Sequence, residues 1–201
     1  MPVGIRPSLA AWLGIVVLLT MLAAFAPAAP AMASGPTDDK HFFHHRAPEA
    51  GMAPLVDKVR MATARYLDIN IAKAEQWVAA TPCVSGPTAG AMGVHFVLPS
   101  RVGDGALNAS EPEALIYEPL PDGALRLVGV EFIVLADDWA RLHPEGGTPA
   151  VDGHLTNYVG APNRYGLPAF YELHVWAWQD NPSGNFADFN TRVTCDNQPA
   201  P

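Results

Sequence analysis

The chain has 201 residues, of which 49% are hydrophobic and 16% charged, so it has enough apolar side chains for a substantial core and is neither collagen-like nor wholly disordered. Its net charge of −8, from 12 Lys+Arg against 20 Asp+Glu, excludes broad phosphate-driven binding to nucleic acid. One domain is the default for this length, and small ligands, cations and protein partners stay open.

The N-terminus has the three parts of a secretory signal peptide: Arg6 in a short positive start, an apolar run from Leu9 to Phe25, and small residues ending in Ala31-Met32-Ala33. Residues 1–33 are therefore expected to be removed. Pro27 and Pro30 stop the run early, so no stable membrane span is expected after cleavage. No twin-arginine pair precedes the run, so the chain is expected to cross the membrane unfolded and without a cofactor loaded in the cytoplasm. The destination is periplasmic or extracellular. In that oxidising compartment Cys83 and Cys195 read as one disulfide, pinning the C-terminal tail to the end of the first helix. A redox-active thiol pair is the rival, but Cys-x-x-Cys spacing is lacking.

Residues 34–52 read as a flexible linker. Its His41, His44 and His45 could bind a soft divalent cation, weakly in the absence of a scaffold. From Pro54 to Ala80 the text changes. Leu55, Val59, Ala62, Tyr66 and Ile69 recur at spacings of three and four, which predicts one long amphipathic helix with Pro54 in its first turn.

Strands follow. Ala91–Leu98 alternates, with Met92, Val94 and Phe96 on one face and Gly93, His95 and Val97 on the other. Ala114–Glu118 and Leu125–Leu135 form an antiparallel pair around an Asp122-Gly123 turn. Residues 136–168 read as a covering loop holding a short helix at Asp137–Leu142 and one short strand at His154–Val159. Phe170–Trp178 is apolar on both faces, the pattern of a strand interior to its sheet, and Asn181-Pro182-Ser183-Gly184 turns after it. The expected fold is α+β: one long N-terminal helix packed on an antiparallel sheet of four to six strands that could curl into a partial barrel, all in a single globular domain over residues 53–201. A closed cupin- or lipocalin-like barrel is the alternative.

The common enzyme signatures are missing: no Gly-x-Ser-x-Gly, phosphate loop, dinucleotide fingerprint or His-Glu-x-x-His. What stands out is a set of polar residues inside apolar strands: His95, Glu118, Glu131, Glu172 and His174. A buried carboxylate costs several kcal/mol unless it is paired or metal-bound. Glu172 and His174 are two residues apart in one strand and leave the same face, along with Trp176. Should that face also receive His95 and Glu131, two imidazoles and one or two carboxylates converge. Such a set suits a divalent transition metal such as zinc, non-haem iron or manganese. Two blander readings compete: the carboxylates face water on the open side of a half-buried sheet, or Glu172 and His174 form a hydrogen-bonded pair that fixes it. Trp176 with Tyr165 offers an aromatic wall for a ligand, with core packing the alternative. Arg164, in the Asn163-Arg164-Tyr165-Gly166 turn, offers an anion contact or is simply exposed.

The segments Pro82-Cys83-Val84-Ser85-Gly86-Pro87, GAMGVHFV and YELHVWAW resemble those of an uncharacterised family of exported bacterial proteins. The resemblance spans about residue 54 to Cys195 and implies secretion and one small domain, with no activity attached. The sequence thus leaves three functional classes: an exported small-molecule or metal-binding domain, a metal-dependent hydrolase or oxygenase using His95, His174 and a Glu, and a cell-envelope interaction protein.

Overall fold

A sheet whose strands are apolar on both faces needs two covers, and here the chain supplies a different one for each side. The computed structural model describes residues 54–198. The expected signal peptide and the expected linker with His41, His44 and His45 lie outside the described residues.

The single helix expected over Pro54–Ala80 is three short pieces. Helix α1 (Leu55–Thr63) runs into a 3-10 turn (Ala64–Leu67), and α2 (Ile69–Ala74) restarts after Asp68. Asp68 is extended (ψ 106°) and its side chain accepts the Asn70 N–H at 2.9 Å, which caps α2. Asp bonds its neighbouring backbone more readily than it continues a helix, so the apolar period runs through a stop that it does not encode. Gln76, at φ +67°, ends α2 and turns the chain into β1 (Val78–Ala79).

The remaining elements are β2 (Val84–Ser85), β3 (Ala91–Val97), α3 (Pro99–Val102), β4 (Ala114–Pro119), β5 (Leu125–Leu135), α4 (Ala136–Leu142), β6 (Ala150–Val151), β7 (His154–Leu155), β8 (Asn157–Val159) and β9 (Phe170–Val175). The main sheet has seven strands in the order β1-β3-β4-β5-β9-β8, with β2 also on β3. Every pairing is antiparallel. The sheet does not close into a barrel, and it exceeds the expected four to six strands because β1 and β2 are too short to show an alternation; the strand expected at His154–Val159 is split into β7, which pairs with β6, and β8, which joins this sheet. The β4–β5 hairpin turns at Asp122-Gly123, and β9 lies between β5 and β8, as its two apolar faces require. A second small hairpin, β6–β7, turns at Asp152 and Gly153, both with positive φ.

On the first face Val94, Phe96, Leu115, Tyr117, Val130, Phe132 and Leu173 pack with Leu55, Val59, Tyr66 and Trp77 of the helical segment. The Trp178 indole donates to Thr63 Oγ1 at 3.0 Å and the Arg60 guanidinium donates to the Ala177 carbonyl, which clamps α1 to the end of β9. The second face carries two smaller apolar groups. Ala91, Ile116, Val128, Trp176 and Val193 form one; Ala114, Ile133 and Phe170 form the other. Its cover is irregular chain: the turn holding Tyr165, and the C-terminal segment, which exchanges backbone hydrogen bonds between Asn190 and Ala91. Cys83 and Cys195 are disulfide-bonded with Cα atoms 5.6 Å apart, so the tail is fastened to the segment between β1 and β2 rather than to a helix end. Among the described residues no helix is long and apolar enough to cross a membrane.

Candidate metal centre

Strand register brings the polar residues of the second face together. Glu131 and His174 are directly opposite on β5 and β9; Ala114 of β4 lies opposite Glu131, and Val97 of β3 opposite Ala114. His95, two residues before Val97, leaves the same face. Strands β3 and β5 are separated by β4, so their axes stand about 10 Å apart. His95 and Glu131 therefore meet over β4. On β4 His95 lies opposite Ile116 and Glu131 opposite Ala114, so the two side chains meet on the diagonal between these positions, with His95 Nε2 3.4 Å from Glu131 Oε2.

The cluster is dry. Glu131 is 6% exposed, Glu172 4% and His174 1%, which removes the reading of water-facing carboxylates. Each imidazole is tethered at Nδ1. His174 Nδ1 is 2.7 Å from Glu172 Oε2, and His95 Nδ1 is 3.2 Å from Thr81 Oγ1. A partner at Nδ1 fixes the ring and leaves Nε2 for another task. His174 Nε2 is buried with no hydrogen-bond partner among the described residues. The two rings are 5.8 Å apart at 88°, and one donor atom each from His95, Glu131 and His174 lies within 4.8 Å of the others. Bonds of about 2.0–2.2 Å to a tetrahedral ion bring its donors about 3.5 Å apart, so the set need contract by only about 1 Å.

Glu172 stands one step out, against Nδ1. Its other oxygen accepts from Asn157 Nδ2 at 3.1 Å, and the same amide reaches Asp188 Oδ1 at 3.4 Å. Glu172, His174 and Asp188 form a second group with donor atoms within 4.8 Å of one another. Three carboxylates thus gather around one imidazole, and among the described residues no Lys or Arg pairs with them. The electrostatics follow. Burial lowers the His95 imidazole to about 3, with His174 adding to the effect. Burial raises the Glu131 carboxyl to about 7 against the pull of His174. Burial would lower His174 as well, but Glu131 and the Glu172 hydrogen bond outweigh it and raise the group to about 9. The neighbouring carboxylates therefore favour a proton on His174 over one on His95.

Two pockets reach the cluster. One, of about 80 Å³, is walled by Ala80, Val97, Ile133, Leu167 and Phe170 and ends on His95 and Glu131. The other, of about 360 Å³, runs over Glu131, Glu172, His174 and Asp188 and is rimmed by Asn163 and Arg164. Glu131, Tyr165 and Phe170 line both.

The structure therefore joins His95, Glu131, His174 and Glu172, sets Tyr165 above them and leaves Arg164 exposed on the rim, over the Tyr165 ring at 5.9 Å. Trp176 is not a pocket wall: it is 2% exposed, packs with Ile116 and Val193, and donates its indole N–H to the Ala187 carbonyl. Glu118 is elsewhere, paired with Arg126 and accepting the Thr194 N–H at 3.1 Å, which holds the tail near the disulfide. Asp188, Asn157 and Thr81 escaped the sequence reading. Asp188 and Thr81 lie in irregular chain where no strand parity points a side chain, and Asn157 begins a three-residue strand.

These features define an α+β domain with a buried two-histidine, one-carboxylate constellation under a covering loop. No protein-family model matches the chain, and no curated protein and no solved structure matches it.

Proposed function

We propose that this chain is an exported domain that binds one first-row divalent metal ion through His95 Nε2, His174 Nε2 and Glu131, with Glu172 and Thr81 orienting the imidazoles from behind. One observation carries the reading: both rings are tethered at Nδ1, His174 Nε2 is buried and unpartnered among the described residues, and a donor atom of His174 lies within 4.8 Å of donor atoms of His95 and Glu131. A buried polar nitrogen without a partner costs about 1–3 kcal/mol, and a carboxylate at the back of a ligating histidine is the usual support for a metal-bound ring. The cluster gathers three carboxylates that no Lys or Arg among the described residues pairs with, and a divalent ion would balance their charge. Two nitrogens and one oxygen favour zinc, iron(II) or manganese. The disulfide and the signal-like N-terminus support export, as does the resemblance to exported bacterial proteins.

Titrating the mature protein with zinc by calorimetry tests this. About one equivalent is expected, with release of protons as His174 and Glu131 are displaced from their acid forms. A His41→Ala/His44→Ala/His45→Ala background should keep that site, and the His95→Ala/His174→Ala pair should lose it. Binding that survives the second pair and vanishes with the first would place the ion in the linker and refute the proposal.

A metal-dependent enzyme is the second reading, and the pockets over the donor set favour it. A three-ligand ion facing a pocket keeps positions open for a water or a substrate.

A further inference from the structure

One residue leaves the face that strand alternation assigns to it. Met92 should share the first face with Val94 and Phe96, yet it is no member of their apolar group and lines the larger pocket beside Glu131, Glu172, His174 and Asp188. A bulge makes the difference. Val84 of β2 pairs with Gly93 and Ser85 with Ala91, so Met92 is the extra residue between them, and the regular β3–β4 ladder begins only at Val94. Gly93 sits at φ +112°, which a glycine tolerates and a larger residue does not. An extra residue in a strand breaks the alternation and re-aims a side chain. Here the side chain it turns toward the donor set is a thioether.

Met92 is buried, and the Tyr165 hydroxyl donates to its sulfur at 3.6 Å. Tyr165 in turn lines both pockets that end on Glu131, so the sulfur lies at the wall of the space above the metal ligands. Methionine is unbranched with three rotatable bonds, so its sulfur can swing across that space while β3 stays in place. The kind of donor decides which ion gains from it. Imidazole suits zinc, copper, iron and nickel alike, whereas a thioether is soft and selects Cu(I). Copper also stands above zinc in affinity for a shared set of nitrogen and oxygen donors. Glu131, held close to His95, supplies a negative charge beside the ion whether or not it ligates.

We infer that Met92 is a further ligand of this centre and that the ion it serves is copper: His95 Nε2, His174 Nε2 and Met92 Sδ hold Cu(I), with Glu131 as the neighbouring charge. The inference rests on the metal-binding reading above and adds a soft donor to its set. Zinc, which gains little from a thioether, still takes the two imidazoles and the carboxylate.

Cu(I) and zinc on the same protein separate the two levels. The mature protein in the His41→Ala/His44→Ala/His45→Ala background is loaded without oxygen with one equivalent of Cu(I), supplied as its acetonitrile complex so that no thiol reductant meets the Cys83–Cys195 bond. Affinity is read by competition with a bicinchoninate chelator. Met92→Leu, which nearly conserves volume, should weaken Cu(I) binding at least about tenfold and change zinc binding by less than about threefold. X-ray absorption at the copper edge should show one sulfur at about 2.3 Å in the unaltered protein and none in Met92→Leu. A copper shell without sulfur overturns the inference and leaves the centre standing if zinc still binds. Unchanged Cu(I) affinity in Met92→Leu overturns it too, as does equal weakening of both metals, which would make Met92 a packing residue. Should that variant fail to fold, the copper shell of the unaltered protein decides alone. Binding of both metals that survives the His95→Ala/His174→Ala pair overturns the metal reading itself, and this inference with it.

Discussion

His174 has its two ring nitrogens assigned to different neighbours, Nδ1 to Glu172 at 2.7 Å and Nε2 to nothing in the described chain. A carboxylate at Nδ1 holds the ring in place and raises its basicity as a ligand. Glu172→Gln should therefore weaken zinc binding about 10–100-fold while leaving its stoichiometry unchanged, as read by competition against a chelator of known affinity. Ala114 is a silent participant. It is fully buried and lies directly opposite Glu131 on β4, on the face that carries His95. Ala114→Leu should crowd the Glu131 side chain and weaken zinc binding, and the overpacking should cost about 1–3 kcal/mol in chemical denaturation. Zinc binding undiminished in that variant would mean that the ion does not sit between β3 and β5.

At the scale of elements, the donors converge because of register. Opposite positions on β5 and β9 carry Glu131 and His174, and a run of alternating residues fixes which face each takes. That much was legible: strand parity alone pairs Glu172 with His174 and separates His95 from Val94 and Phe96. The β4–β5 pairing was legible as well, from the Asp122-Gly123 turn, but the placing of β3 beside β4 and of β9 beside β5 was not, since those partners are chosen by tertiary packing that a period cannot show. Asp188 and Thr81 were hidden for a related reason, because irregular chain has no period. The helix was over-read because Leu55, Val59, Tyr66 and Ile69 keep helical spacing across a break that Asp68 makes with its side chain. Asp68→Ala should cost about 1 kcal/mol through the lost cap. Gly93 marks another local rule. At φ +112° its Cβ would lie 2.7 Å from the Tyr117 carbonyl oxygen, so Gly93→Ala strains the strand two residues before His95. A displaced His95 should then show as weaker metal binding alongside a lower melting temperature.

At the scale of the molecule, the disulfide closes a long stretch, its two cysteines lying 112 positions apart. The chain-entropy relation gives about 5 kcal/mol for a loop of that size. Reductant should accordingly lower the melting temperature by about 10–20 °C, and no shift would contradict the bond's role. Buried acids set a pH dependence as well. Glu113 is 2% exposed and accepts the Ile133 N–H at 2.9 Å, and burial raises it from 4.5 to about 8. Above pH 6.5 the native metal-free protein retains protons on Glu113, Glu131 and His174 that the unfolded chain has released, so stability should fall as pH rises from 6.5 to 8. His95, lowered to about 3, acts in the opposite sense, and its effect fades as pH rises past its ordinary value of 6.5. Glu113→Gln keeps an acceptor for Ile133 and should flatten the decline, as measured by denaturant unfolding with a chelator present at several pH values. An unchanged slope would remove Glu113 from this account.

The most direct test is the coordination shell itself. X-ray absorption at the zinc edge on the mature protein, loaded with one equivalent in the background lacking the three linker histidines, should show two imidazole nitrogens and one carboxylate oxygen at about 2.0–2.2 Å. The imidazole scattering should disappear with the His95→Ala/His174→Ala pair. A shell without imidazole, or one that the pair leaves unaltered, would contradict a metal centre on this face of the sheet.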